Sequence, residues 1–171
     1  MERELEVKIL GYTLDAYETM VKSLGATYLS TEEQVVYWFK DAPVGENGYL
    51  RLRLIDGQAT FTYKERVDHQ GIRENIERNV TISEPQTFLE ILEILGYKPI
   101  VQRKIRRKYT WNHFIFDIDQ WDPRVYPHPY MEIEAPDQEE MNEILKKLQI
   151  PKDKISLLSI KELIAGEENR K

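Results

Sequence analysis

From Glu4 to Ile9 the chain alternates charged and apolar side chains without a break: Glu4, Glu6 and Lys8 against Leu5, Val7 and Ile9. As a β-strand this segment puts its charges on one face and its apolar groups on the other. Two carboxylates on one strand face repel each other, and a divalent metal ion is the usual agent that compensates them. Later segments repeat the pattern: Leu50–Leu54 with Arg51 and Arg53, Phe61–Lys64, Lys104–Arg106, Phe116–Asp119 and Met131–Glu134. Polar strand faces that are almost wholly ionic, with both signs present, point to a charged interior built to hold a metal and a polyanion.

Periodicity shows one apolar and one ionic face per strand and leaves open which is buried. For a single strand, a solvated ionic face is the ordinary reading. Taken together the strands weaken it, because a solvated face mixes Thr, Ser, Gln and Lys, whereas here the alternating positions are carboxylate pairs or cation pairs. The set holds six cations (Lys8, Arg51, Arg53, Lys64, Lys104 and Arg106) and five anions (Glu4, Glu6, Asp119, Glu132 and Glu134). If amphipathic helices cover the apolar faces, the sheet can curl until the ionic faces line a tunnel. Cations in such a space are costly without an anionic ligand, and a triphosphate with two divalent cations would balance them.

A length of 171 residues suits one domain spanning the whole chain, 1–171. The net charge of -6 argues against bulk nucleic-acid binding, which needs a basic face. The absence of cysteine removes disulfides and thiolate metal sites and fits a reducing cytosol. No basic segment followed by an apolar run marks a signal peptide, and no run approaches the roughly 18 apolar residues of a membrane helix. A cytoplasmic protein with no membrane or nucleic-acid partner is expected.

Leu14, Tyr17, Met20, Val21 and Leu24 recur at helical spacing, and Gly25 follows where a helix ends. Strands are expected at Gln34–Phe39, at Tyr49–Ile55 and Gln58–Tyr63 around the Asp56-Gly57 turn, and at Arg73–Ile82 after a polar loop around His69–Gly71. Ser83 and Gln86 resemble a capping box for a helix that carries Phe88, Ile91, Leu92 and Leu95 and stops at Gly96. Val101–Thr110 and Phe114–Gln120 read as a hairpin around Asn112. Trp121–Tyr130, with three prolines, reads as a loop or lid, and Tyr130–Ala135 as the last clear strand. A third helix starts at Pro136-Asp137 and Glu140, a short apolar helix is expected over Ile155–Ile164, and 166–171 is expected to fray. Strands joined by hairpins or one helical crossover indicate α+β with a largely antiparallel sheet.

Glu4-x-Glu6-x-Lys8, Arg51-x-Arg53, Thr62-x-Lys64, Lys104-x-Arg106-x-x-Tyr109, Ile118-Asp119-x-Trp121 and Pro129-Tyr130-x-Glu132-x-Glu134 follow one another in order along nearly the whole chain. In this the sequence resembles the CYTH domain, or triphosphate tunnel metalloenzyme, family, named for class IV adenylyl cyclase and thiamine triphosphatase. The resemblance implies a closed eight-stranded antiparallel β-barrel around a tunnel, with amphipathic helices packed outside. It implies Mg²⁺ or Mn²⁺ on Glu4, Glu6, Asp119, Glu132 and Glu134, and a small-molecule triphosphate on Lys8, Arg51, Arg53, Lys64, Lys104 and Arg106. Glu4, Glu6, Lys8 and Asp119 would carry the chemistry. Hard oxygen ligands suit these metals, and the planar fork of Arg suits phosphate. Glu77, Asp117 and Lys161 are candidates for supporting these groups, with an ordinary surface role as the alternative for Asp117 and Lys161. The chain departs from the family where many members carry alternating glutamates: it reads Asn75-x-Glu77-x-Asn79.

Three functions follow as expectations: hydrolysis of inorganic, organic or nucleoside triphosphate; cyclisation of ATP to cyclic AMP and pyrophosphate; or non-catalytic polyphosphate binding. The first is preferred, in a monomer or a homodimer. His69, His113 and His128 sit in separate loops without metal-ligand spacing, and Trp38, Trp111 and Trp121 read as core or rim packing, with Trp121 placed to touch an organic group.

Overall fold

The N-terminal strand β1 (Glu2–Leu10) is hydrogen-bonded along both edges, and this closes the sheet. In the computed structural model, which describes residues 2–45, 47–69 and 72–169, β1 pairs with β5 (Ile72–Ile82) on one side and β8 (Tyr130–Ala135) on the other. From β5 the ring continues through β4 (Gln58–His69), β3 (Gly48–Ile55), β2 (Thr27–Phe39), β6 (Ile100–Trp111) and β7 (Phe114–Trp121) to β8. All these pairings are antiparallel. The result is the expected α+β architecture, a closed eight-stranded antiparallel barrel with helices outside.

Local chemistry sets the turns. Asp56 and Gly57 both take positive φ (49° and 79°), as a two-residue hairpin turn between right-twisted strands requires. Asn112 (φ 53°) does the same between β6 and β7, so that Trp111 faces Phe114.

The helices settle which strand face is buried in apolar surroundings. Helices α1 (Leu14–Ser23) and α3 (Gln138–Lys147) bury Tyr17, Val21, Met141 and Ile144 against Val7, Ile9, Phe116, Ile118, Met131 and Ile133 of β1, β7 and β8. Helix α2 (Pro85–Ile94) lays Phe88, Leu89 and Leu92 beside Phe39, Leu52, Ala59 and Phe61. The apolar strand faces point outward under helices, and the ionic faces point inward.

Four local expectations need correction. β2 begins at Thr27 instead of Gln34, because the far half of β6 needs a partner for its backbone; this added half is polar and partly exposed and so lacks apolar alternation. β4 likewise runs on to His69, where β5 pairs with it along its whole length. The cap of α2 is Glu84, with no side-chain bond, because Pro85 takes the first helical position in place of a Ser83–Gln86 box. Ile155 and Ser156 are not helical. They form a ninth strand, β9, on the edge of β1 at Lys8 and Ile9, beyond the point where β5 leaves it. A helix α4 (Ile160–Glu168) then starts at a Ser159–Glu162 capping box and keeps 166–168 ordered. Gln70 and Gly71 of the expected loop, and residues 170 and 171 of the expected frayed tail, lie outside the described residues. Among the described residues no helix is long and apolar enough to cross a membrane.

Candidate active site

Alternation along β1 aims Glu4, Glu6 and Lys8 into the barrel, where a cavity of about 180 Å³ is lined by side chains of all seven other barrel strands and of α4. The structure brings Arg51, Arg53, Lys64, Glu77, Lys104, Arg106, Glu132, Glu134 and Lys161 to this same cavity. Asp117 and Asp119 are not on its wall. Both are fully buried, behind Arg106. Lys161 is itself exposed and reaches the cavity from α4, whose Ser159 and Ile160 also line it. Ile160 and Leu163 pack with Val36, Trp38, Trp121, Tyr126 and Tyr130, and cover one end of the barrel.

The site is a lattice of buried ion pairs. Lys8 Nζ lies 3.1 Å from Glu132 and 3.3 Å from Glu6. Lys64 Nζ reaches Glu4 at 2.6 Å, Glu77 at 2.8 Å and Glu6 at 3.6 Å. Arg106 donates from Nε and Nη2 to the two oxygens of Asp119, both at 2.7 Å, from Nη2 to Glu132 at 2.8 Å, and from Nη1 to Asp117. Lys104 donates to Asp119 at 2.7 Å and stands over the Trp121 ring. Burial opposes the ionised form of Glu6, but Lys64 and Lys8 outweigh it and hold the carboxyl down to about 2. Burial likewise opposes ionised Glu132, and Lys8 and Arg106 hold it well below the usual range.

Two groups depart from this pairing. Arg53 has no carboxylate within ion-pair distance among the described residues, and its Nε is buried without a partner. Burial, with Arg51 and Arg106 nearby, lowers it to about 10. Glu134 stands directly across the β1–β8 ladder from Glu6 and has no cation within that distance among the described residues. Burial, with Glu4 and Asp117, raises its carboxyl to about 8. Glu4 is raised as well, by burial and by Glu77 and Glu6, against the pull of Lys64.

These carboxylates are the fit test for a divalent cation. Glu4, Glu6 and Glu134 offer hard oxygen donors; burial first, and neighbouring carboxylates second, disfavour the ionised forms of Glu4 and Glu134, a cost that a bound cation would offset. Among the described residues no three carboxylate or imidazole groups are already gathered around one point, and Lys64 and Lys8 hold several of these acids. The donor chemistry fits Mg²⁺ or Mn²⁺.

A pH dependence follows. Glu134 keeps its proton in the folded state between its ordinary value of 4.5 and about 8, whereas the unfolded chain has released it. Its contribution to stability is therefore complete below pH 4.5 and is lost as pH rises through about 8. In metal-free buffer Glu134→Gln is expected to flatten the fall of the melting temperature across that window. Mn²⁺ affinity of the parent chain is expected to rise over it, with proton release in calorimetry. Identical slopes in the two proteins would contradict this.

Alternation around the chosen motifs missed other wall residues: Arg73 and Lys108 among the cations, and Trp38, Tyr49 and Tyr130 among the aromatics. Arg73 and Tyr49 fall on the inward register of their strands, a signal the sequence carried. Asn75 and Asn79 also face inward and work as neutral amides: Asn75 accepts from Arg73 at 3.1 Å, and Asn79 accepts from Thr62 at 2.7 Å. His113 faces Glu140 and His128 faces Glu167, both away from the cavity.

Comparison with known proteins agrees with this geometry. The fold is similar to that of the PH1012 protein of Pyrococcus horikoshii, at TM-score 0.79 and 24% identity over 94% of this chain and 98% of that one. A Vibrio parahaemolyticus protein described as a candidate adenylate cyclase matches at TM-score 0.71 and 20% identity over 96% and 98%. A Hippeastrum protein, described as a candidate adenylyl cyclase that reveals a dominant triphosphatase activity, matches at TM-score 0.66 and 17% identity over 98% and 96%. No curated protein is matched. The CYTH domain model matches residues 2–159, nearly the whole barrel and the approach to α4, and the chain belongs to the CYTH domain family.

Proposed function

We propose that this protein is a divalent-metal-dependent triphosphatase that takes an inorganic, organic or nucleoside triphosphate into the barrel. The observation that carries the reading is Arg53, a half-buried cation whose buried Nε has no partner and which has no carboxylate within ion-pair distance among the described residues, set among Arg51, Lys104 and Arg106 on the cavity wall. An anion with several oxygens relieves that charge, and each charge-assisted contact contributes about 1.5–3 kcal/mol.

In this reading Arg51, Arg53, Lys104 and Arg106 grip the phosphate chain from β3 and β6, and Lys8 and Lys64 approach it from β1 and β4. Glu4, Glu6 and Glu134 would hold the metal, with Glu132 and Asp119 keeping the neighbouring cations in place. A divalent cation bound there supplies charge neutralisation and lowers the pKa of a bound water. Helix α4 and the aromatic cluster cover one end of the barrel, and burial there strengthens the charge interactions inside. Hydrolysis needs only a positioned water, whereas cyclisation also needs a ribose hydroxyl held in line with the α-phosphate.

Product analysis tests the proposal. Incubation with ATP or inorganic triphosphate and Mg²⁺ or Mn²⁺ is expected to release orthophosphate with little cyclic AMP. Cyclic AMP and pyrophosphate in equal amounts as the main products would replace it with a cyclase.

A further inference from the structure

The strand across the barrel from β6 contains a cation with a donor that the ion-pair lattice leaves unmet. Arg73 opens β5 at the point where it faces Glu6 in the β1–β5 register, the last pair before β9 takes over that edge of β1. Its side chain is 5% exposed and lines the cavity. Nε donates to Asn75 Oδ1 at 3.1 Å and lies 3.3 Å from Glu6 Oε1, so the inner end of the guanidinium is anchored. Nη1 is buried and has no hydrogen-bond partner. A buried donor of this kind costs free energy until an acceptor arrives.

The contact with Glu6 runs through Nε of Arg73, and Lys8 and Lys64 flank the same carboxylate at 3.3 and 3.6 Å, so three cations share it. Glu162 at the start of α4 lies 3.6 Å from Arg66, which faces Asn75 in the β4–β5 ladder, and this places the start of β5 towards the covered end of the barrel. A planar fork with one end anchored and the other free is suited to a phosphate oxygen, and a neutral Asn75 in place of a glutamate leaves that fork uncancelled on its own strand.

We infer that Arg73 is a further substrate-contacting residue, donating from its free guanidinium edge to an oxygen of the bound phosphate chain near the end covered by α4. This rests on the triphosphate reading of the same cavity. The chain is then held from opposite walls, by Lys104 and Arg106 of β6 on one side and Arg73 of β5 on the other.

The test is calorimetry with inorganic triphosphate, in EDTA and again with Mg²⁺ at low temperature, on the parent chain, Arg73→Gln and Arg73→Lys, with melting curves of each in the absence of ligand. Arg73→Gln is expected to bind about 10-fold or more weakly in both buffers. Arg73→Lys keeps a counter-charge for Glu6 but not the fork; it is expected to melt near the parent and still to bind several-fold more weakly. Parent-like binding by Arg73→Lys, or a loss in Arg73→Gln seen only with Mg²⁺, would overturn the inference and make Arg73 a positioning partner of Glu6. Failure of the parent chain itself to bind triphosphate would overturn the functional reading, and this inference with it.

Discussion

Excess EDTA is expected to abolish triphosphate turnover while leaving the barrel folded, and Glu6→Gln is expected to cut turnover nearly as far with metal present, at some cost in stability because Lys8, Lys64 and Arg73 lose a shared partner. Glu6, held ionised, faces Glu134 across one ladder position, and Glu134 keeps its proton up to about 8. Releasing that proton would set like charges directly opposite on neighbouring strands, which a bound cation would offset. None of these side chains belongs to the apolar clusters that hold the helices on the barrel. The expected loss for Glu6→Gln is at least about 100-fold in kcat, the scale seen when one preorganised electrostatic group is removed. Measurements of orthophosphate release with and without EDTA, alongside circular dichroism, check this. Full turnover in excess EDTA would remove the metal from the proposal and leave the cation wall standing.

Arg53 and Arg106 are expected to separate binding from stability. Arg106 is buried against Asp117, Asp119 and Glu132, with Asp117 and Asp119 fully enclosed. Arg106→Ala strips a partner from three carboxylates at once, and removing one side of a buried pair costs about 3–5 kcal/mol. For a chain of this length that is a fall of about 6–20 °C in melting temperature. Arg53 has no such partner among the described residues, and the folded barrel disfavours its charge. Arg53→Met keeps the packing and removes the unpaired cation, so the free protein is expected to melt at or above the parent temperature. Its affinity for a non-hydrolysable triphosphate analogue is expected to fall about 10- to 100-fold. Thermal melts and calorimetry on the two variants decide it. A destabilised Arg53→Met with unchanged affinity would move Arg53 out of the substrate's reach.

Alternation at two-residue spacing was strong enough to place most of the cavity wall, because every second residue of a closed barrel faces inward whatever the register. It did not separate wall from interior behind the wall. Asp117 and Asp119 obey the same period as Glu132 and Glu134, yet Arg106 covers them, and only the β6–β7 register, Arg106 against Asp119, brings that about. Arg73 escaped notice for the opposite reason. It sits in line with Asn75, Glu77 and Asn79, a mixed polar set that reads like any solvated strand until β1 is laid beside it.

The sequence alone determined the strand faces, the Asp56-Gly57 and Asn112 turns, the helical stripes of α1 and α3 and the ordered motifs of the family, because each depends on chemistry within a few residues. The tertiary structure decided the rest. The polar half of β2 is a strand because β6 offers it a partner, and Ile155 and Ser156 extend the sheet because β5 leaves an edge of β1 free. The inward direction of the charges was decided in the same way, when helices covered the apolar faces and the ring closed through β1. Which charges are paired and which stand free, Arg53 and Glu134 above all, depends on distances between strands far apart in the chain, and no local pattern encodes those distances.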